Sequence, residues 1–135
     1  MATSFVKYMG GLRTDSEHLA SKQHYITDAP VDNHGKGEAF SPTDLMATSL
    51  ANCMLTVMGI KANSEGMTSI DGTTAEVIKI MYADPRRVGE IHIKLTFPKN
   101  NYSDKEKKIY ENTAHTCPVA KSLHPDLKQV LEFVW

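Results

Sequence analysis

A chain of 135 residues with 15 Lys+Arg against 16 Asp+Glu has the length of one domain, residues 1–135, and a net charge of -1 that excludes a broad basic face for nucleic acid. With 41% hydrophobic and 23% charged residues its composition is globular, which excludes global disorder, and its size removes the need for a metal or disulfide staple. The most apolar stretch, residues 45–60, is broken by Thr48, Ser49, Asn52 and Thr56, and the opening MATSFVKYMG lacks the apolar core of a secretion signal, so a cytoplasmic protein without a membrane span is expected.

Residues 5–13 and 17–28 carry Tyr, Val, Thr and Ile and predict extended structure, with Thr14-Asp15-Ser16 as the turn between them. Gly10-Gly11 marks a bulge or a close backbone approach. Residues 29–40 contain Pro30, Asp32, Asn33, Gly35 and Gly37 and predict a loop, long enough to suggest a functional one. A helix then starts: Ser41 is a fit N-cap, Pro42 suits the first helical position, and Asp44 is the acid three residues after the cap. It ends by Gly66 and is apolar on nearly every face, through Leu45, Leu50, Met54, Val57 and Ile60. A rod of about twenty residues, roughly 30 Å long, needs covering all round. A chain this small does that most economically with a second copy, which predicts a homodimer with the helix near its centre.

Residues 73–83 and 89–97 alternate apolar and polar side chains around Asp84-Pro85-Arg86-Arg87-Val88, a hairpin pattern. Residues 104–116 read as a charged helix capped by Ser103, residues 117–123 as a short helix with Pro118 at its first position, and residues 129–135 as a closing strand. The class is α+β.

The chemistry-bearing residues are few. The two cysteines, Cys53 and Cys117, lie far apart in sequence. In a reducing compartment a cysteine is either a small buried hydrophobe or a catalytic or sensing thiol. Cys53 sits mid-helix among apolar neighbours, which alone would make it inert, so its activity requires a cation from elsewhere. Arg13, after the Gly10-Gly11 irregularity, is the arginine placed to supply one; an exposed edge-strand charge is the equally simple reading. Cys117, at a helix start with His115 and His124 close in sequence, has the local setting of the more acidic thiol. A four-ligand zinc pattern, GxGxxG, GxxxxGK[ST], CxxC and GxSxG are all absent.

Phe40-Ser41-Pro42-Thr43-Asp44-Leu45 through Ala51-Asn52-Cys53, together with His115-Thr116-Cys117-Pro118-Val119-Ala120-Lys121-Ser122-Leu123, resembles the OsmC/Ohr family of peroxide-reducing proteins. The segments GLRTDSEH and TDAPVDNHGKGEAFSPTDL are similar to its OsmC-like branch, and the resemblance covers nearly the whole chain. It implies an OsmC-like fold, an intertwined homodimer in which curved antiparallel sheets wrap two central helices, with active sites at the subunit interface. It also implies Cys53 as the peroxidatic thiolate, Cys117 as the resolving thiol, and Arg13 stabilising the thiolate and polarising the peroxide. Where peroxidases of the family place a Glu after the helix-starting Pro to orient the Arg, this chain has Thr43, leaving Asp44 or Glu38 for that role. The implied substrate is an organic hydroperoxide, with hydrogen peroxide as a second. The reductant is an external dithiol or lipoyl-type group, and no metal, flavin or haem is implied. Two rival readings are a non-catalytic protein binding an apolar ligand at the dimer interface, and a thiol redox sensor.

Overall fold

The computed structural model describes all residues from Met1 to Trp135. The chain forms two compact units, Met1–Met46 and Ala47–Trp135. The class is α+β, as the sequence predicts, with each unit built on its own three-stranded sheet.

The first unit is an antiparallel meander of β1 (Ser4–Gly10), β2 (Arg13–His18) and β3 (His24–Asp28). The expected turn at residues 14–16 is corrected: Thr14, Asp15 and Ser16 lie inside β2, and the chain reverses at Gly11-Leu12 instead. The physical reason is backbone freedom. Gly10, Gly11 and Leu12 take φ of 85°, 61° and 62°, a left-handed run that two glycines make accessible. The expected irregularity at Gly10 is present as a register shift between Tyr8 and Gly10. Residues 17–28 are likewise not one strand, because a turn from His18 to Gln23, closed by the His18 amide on the Gln23 carbonyl at 2.8 Å, separates β2 from β3.

Residues 29–40 form the loop predicted, with one 3-10 turn at Val31–Asn33. It folds back on itself through Gly35 N–H to the Pro30 carbonyl at 2.9 Å and Gly37 N–H to the Ala29 carbonyl at 3.2 Å. At Gly35 a Cβ would meet the Ala29 carbonyl oxygen, so the closeness of the two backbones requires glycine there.

Helix α1 (Pro42–Glu65) begins as its sequence predicts. The Asp44 amide donates to Ser41 Oγ at 3.1 Å while Asp44 Oδ2 accepts from the Ser41 amide at 3.0 Å, a reciprocal capping box built with Asp. Gly66, at φ 61°, follows its last turn. One face, Ala47, Leu50, Ala51, Met54, Met58 and Ala62, is buried at three- and four-residue spacing. At 24 residues and mean hydropathy 1.3 the helix is long and apolar enough to cross a membrane. Its buried face, however, is committed to a protein core. The other apolar positions, Leu45, Cys53, Leu55 and Val57, are half-buried, and Ile60 is exposed.

In the second unit β4 (Thr74–Tyr82) and β5 (Arg87–Thr96) form the predicted hairpin, and the closing strand β6 (Lys128–Val134) joins β5 in parallel. That pair is not antiparallel because the chain crosses over through α2 (Asp104–His115) and α3 (Pro118–Ser122) before returning. Alternation on β5 buries Ile91, Ile93 and Leu95, with Phe97 beyond its end. Ser103 and Glu106 complete a capping box at the start of α2. Glu106 also accepts the Thr68 amide at 2.7 Å and the Thr68 hydroxyl at 3.0 Å, which ties α2 to the segment following α1.

Candidate active site

The second unit brings the two cysteines together. Cys53 rides on α1 and is half-buried; Cys117 is the N-cap of α3 and fully buried. Both are free thiols. Cys117 takes an extended backbone at φ -66° and ψ 150°, and its sulfur accepts the Ala120 amide at 3.3 Å. Pro118 at the first helical position sets this geometry, since it restricts the residue before it to extended conformations and needs no hydrogen-bond partner of its own.

The expectation that the helix start makes Cys117 more acidic is corrected. Burial pushes the Cys117 thiol up from its ordinary value, and the neighbouring Cys53 raises it further by hydrogen bonding and charge; the Ala120 and Val119 amides oppose this without cancelling it. The dipole of a five-residue helix is outweighed by the burial of the sulfur. His115 and His124 do not alter the balance, because both are exposed and no hydrogen bond joins either to the thiols. The pair is therefore asymmetric. Cys53 is a half-buried residue, while Cys117 is enclosed and its protonated form favoured.

The first unit builds a separate polar cluster on Arg13. The register of β2 against β3 sets Arg13 directly opposite Asp28. Arg13 Nε donates to Asp28 Oδ1 at 2.7 Å and Nη2 to Oδ2 at 2.8 Å, a bidentate fork, while Nη2 also donates to Glu38 Oε1 at 3.2 Å. Asp28 is 1% exposed and Glu38 65%, so the two carboxylates differ sharply in constraint. The Glu38 amide donates to Asp28 Oδ2 at 3.1 Å, and the Asp28 amide to the Phe40 carbonyl at 3.1 Å, which clasps the end of the loop against β3. The hydrogen bonds from Arg13 hold the Asp28 carboxyl below its usual range against the opposing effect of burial, and the same bonds, with Glu38, hold Arg13 fully protonated.

Of the predicted site residues, Cys53 and Cys117 are thus neighbours, and Arg13 has carboxylate partners. Glu38, one of the two acids anticipated for it, touches its guanidinium. Asp44, the other, contributes its Oδ2 to the capping box of α1. Sequence reasoning missed Asp28 because a turn placed at residues 14–16 gives β2 and β3 the wrong register. The signal available was the pairing of Arg13 with Asp28 and Thr14 with Thr27 that the observed register produces; the two threonine hydroxyls are in direct hydrogen-bond contact.

Residues 35–132 match the profile of the OsmC-like protein family. Among solved structures, a Psychrobacter arcticus protein provisionally described as an osmotic stress induced and detoxification response protein is 62% identical, covering 98% of this chain and 96% of its own, with a TM-score of 0.94. An organic hydroperoxide resistance protein OsmC from Legionella pneumophila is 20% identical over 100% of this chain and 98% of its own, with a TM-score of 0.73. A Vibrio cholerae protein assigned to organic hydroperoxide resistance, with captopril bound in one of its active sites, is 14% identical over 98% and 92% with a TM-score of 0.71. No curated protein sequence matches the chain.

Proposed function

The chain belongs to the OsmC-like family, and from that membership together with its dithiol we propose that it is a thiol-dependent peroxidase reducing organic hydroperoxides, and hydrogen peroxide as a second substrate. The observation that carries this reading is the neighbouring of Cys53 and Cys117, a half-buried cysteine beside an enclosed one whose protonated form is favoured.

The chemistry asks for that asymmetry. The Cys53 thiolate attacks the outer oxygen of ROOH, the O–O bond breaks, and the alkoxide leaves as ROH after taking a proton; Cys53 becomes a sulfenic acid. Cys117, kept as a thiol by burial, then attacks the sulfenic sulfur and releases water, closing a disulfide before further peroxide arrives. An external dithiol, small or lipoyl-type, restores both thiols by exchange, entering at the Cys53 sulfur because Cys117 is fully buried. Arg13 serves as the cation that stabilises the Cys53 thiolate and polarises the peroxide. No metal, flavin or haem takes part in these steps.

The active unit in this reading is a homodimer in the cytoplasm. What supports association is the apolar surface left open on one chain: Phe5, Val6, Tyr8 and Met9 on β1, and Ile60 on α1, are all more than half exposed. A sedimentation mass of twice the 15.0 kDa chain is the expected result.

The test is dithiol consumption coupled to an alkyl hydroperoxide and, side by side, to hydrogen peroxide. Turnover that Cys53→Ser abolishes supports the reading. Full turnover by Cys53→Ser overturns it. Tight binding of an apolar ligand without turnover would instead mark a binding protein, and oxidation that free dithiols reverse only slowly would mark a sensor.

A further inference from the structure

A thiol has one hydrogen to donate and a sulfur that accepts, and at Cys117 both sides have a partner. Its sulfur accepts the Ala120 amide at 3.3 Å. Its hydrogen has no water to meet, because the residue is 0% exposed. The acceptor beside it is the Cys53 sulfur, to which the thiol is hydrogen-bonded. Burial keeps the proton on Cys117, so the bond runs from the Cys117 S–H to Cys53 Sγ. Both sulfurs belong to the unit Ala47–Trp135, and their contact is internal to it.

Packing fixes both ends of this bond. Cys53 stands on α1 between Leu50 and Met54, which are fully buried. The Lys121 amide holds the Cys117 carbonyl at 3.1 Å, and Gln129 Nε2 on the Ala120 carbonyl at 3.1 Å ties α3 to β6. An S–H is a weak donor in water, where the solvent competes with it. Enclosure removes that competition, and the amide accepted by the same sulfur polarises the S–H bond, so the donor is strengthened twice.

We propose that Cys117 acts during the peroxide step as well as after it: its S–H is the hydrogen-bond donor that stabilises the Cys53 thiolate while that sulfur attacks the peroxide. This rests on Cys53 being the attacking sulfur, as read above. The donor keeps its proton through that step. An electron pair of the Cys53 thiolate forms the S–O bond, the O–O bond breaks, and the alkoxide takes a proton from solvent. Cys117 gives up its own proton only when the disulfide closes. The S–H and S–O bonds then break, the S–S bond forms, and the proton leaves with the hydroxyl as water.

Serine and alanine separate the outcomes. Cys117→Ser keeps a donor and an N-cap acceptor, and Cys117→Ala keeps neither. Alkylation of Cys53 against pH is followed by peptide mass spectrometry so that Cys117 is counted separately. Cys117→Ser is expected to have a midpoint at or below that of the wild type. Cys117→Ala is expected to raise the midpoint by about one pH unit or more, the scale of a hydrogen bond to a charged group. Below the midpoint, a rise of about one unit cuts the thiolate fraction about tenfold and makes the remaining thiolate about threefold more nucleophilic. Single-turnover formation of the sulfenic acid in Cys117→Ala is therefore expected to slow about threefold. Equal midpoints for Cys117→Ala and the wild type overturn the proposal, and so does a rise shared by Cys117→Ser and Cys117→Ala.

The infrared S–H stretch of the wild-type protein reads the bond itself and is unaffected by any fraying of α3 in the alanine variant. The Cys117 band is expected to broaden and fall in frequency as pH is raised through the Cys53 alkylation midpoint. In Cys53→Ala it is expected to stay in place over the same range. A wild-type Cys117 band that does not move overturns the proposal, whatever the alanine variant does. A wild type that consumes no peroxide would remove the peroxidase reading alone, while the band and the midpoints still decide whether Cys117 donates to Cys53.

Discussion

Replacing Cys117 by serine separates the chemistry of the dithiol from the packing around it. Cys117 is 0% exposed and caps α3 with its sulfur accepting the Ala120 amide at 3.3 Å. Serine is among the best N-cap residues and keeps that bond, so the cap contribution of about 0.5–2 kcal/mol survives. The cost is a hydroxyl in a site without water. Its proton has the Cys53 sulfur as an acceptor, which offsets part of a desolvation penalty of about 1–3 kcal/mol. A net loss of about 1 kcal/mol lowers the melting temperature of a domain this size by roughly 4 °C, leaving the variant folded at 25 °C. The chemical loss is far larger. With no resolving thiol, the Cys53 sulfenic acid persists until a second peroxide converts it to sulfinic acid, which dithiols do not reverse. In an assay with peroxide in excess, the wild type is expected to hold a constant rate while Cys117→Ser decays toward zero, and intact-mass spectrometry is expected to find two or three added oxygens on Cys53. A linear time course for Cys117→Ser under the same excess, with Cys53 unmodified beyond the first oxygen, would refute the argument that the enclosed thiol is the resolving one.

Three further outcomes follow from the packing and the ionisation of the chain. Leu50→Ala removes a fully buried side chain from the packed face of α1 and is expected to cost about 2–5 kcal/mol, read as a lower denaturant midpoint at unchanged slope; a loss below about 1 kcal/mol would mean that the face is not a packed core. Burial holds Cys117, Tyr102 and Tyr110 above their ordinary values, so each contributes stability that is complete below its unfolded pKa and is lost as pH rises through the folded one. Asp28, Glu106 and Glu90 are held low, chiefly by hydrogen bonds, and lose their contribution as pH falls below about 4, whereas His24 is held high by its hydrogen bond to Asp15 and loses its contribution as pH rises past the ordinary histidine range; melting scans should therefore show a decline in acid, a small loss above about pH 6.5 and a further decline above about pH 9, and a continuous rise above pH 9 would contradict the burial of the thiol and the two phenols. Gly35→Ala forces a Cβ onto the Ala29 carbonyl and should loosen residues 29–40, seen as faster amide exchange at Gly37 and Glu38 while β4 and β5 keep their protection.

What the sequence reveals and what it hides divides along a physical line. Local signals carry: Ser41-Pro42-Thr43-Asp44 fixes the start of α1, Ser103 and Glu106 cap α2, and Cys117-Pro118 starts α3, because each depends on residues within one helical turn. The apolar surround of α1 is legible for the same reason, and so is the hairpin of β4 and β5. Acidity was not legible from local signals. The dipole of a short helix can be read in the sequence, but the complete burial that overrides it at Cys117 comes from residues brought in from elsewhere in the fold.

The guanidinium cluster depends on a single feature of the chain, the position of the first reversal. Once Gly10-Gly11-Leu12 is taken as the reversal, residues 13–18 become a strand and the turn after it falls at residues 19–23. Antiparallel pairing then leaves one register, in which Arg13 faces Asp28, Thr14 faces Thr27 and Glu17 faces His24, a complementary set. Moving the partner strand by one residue would set Arg13 against Thr27 or Ala29 and break both the ion pair and the threonine contact, and it would turn buried Thr27 to the face opposite buried Ser16. The partner of Arg13 is therefore chosen by the fold of a hairpin rather than by the acid nearest to a motif. A family pattern that places the orienting carboxylate on the helix start need not carry over where Thr43 occupies that position, since a buried aspartate already holds the fork from the opposite strand.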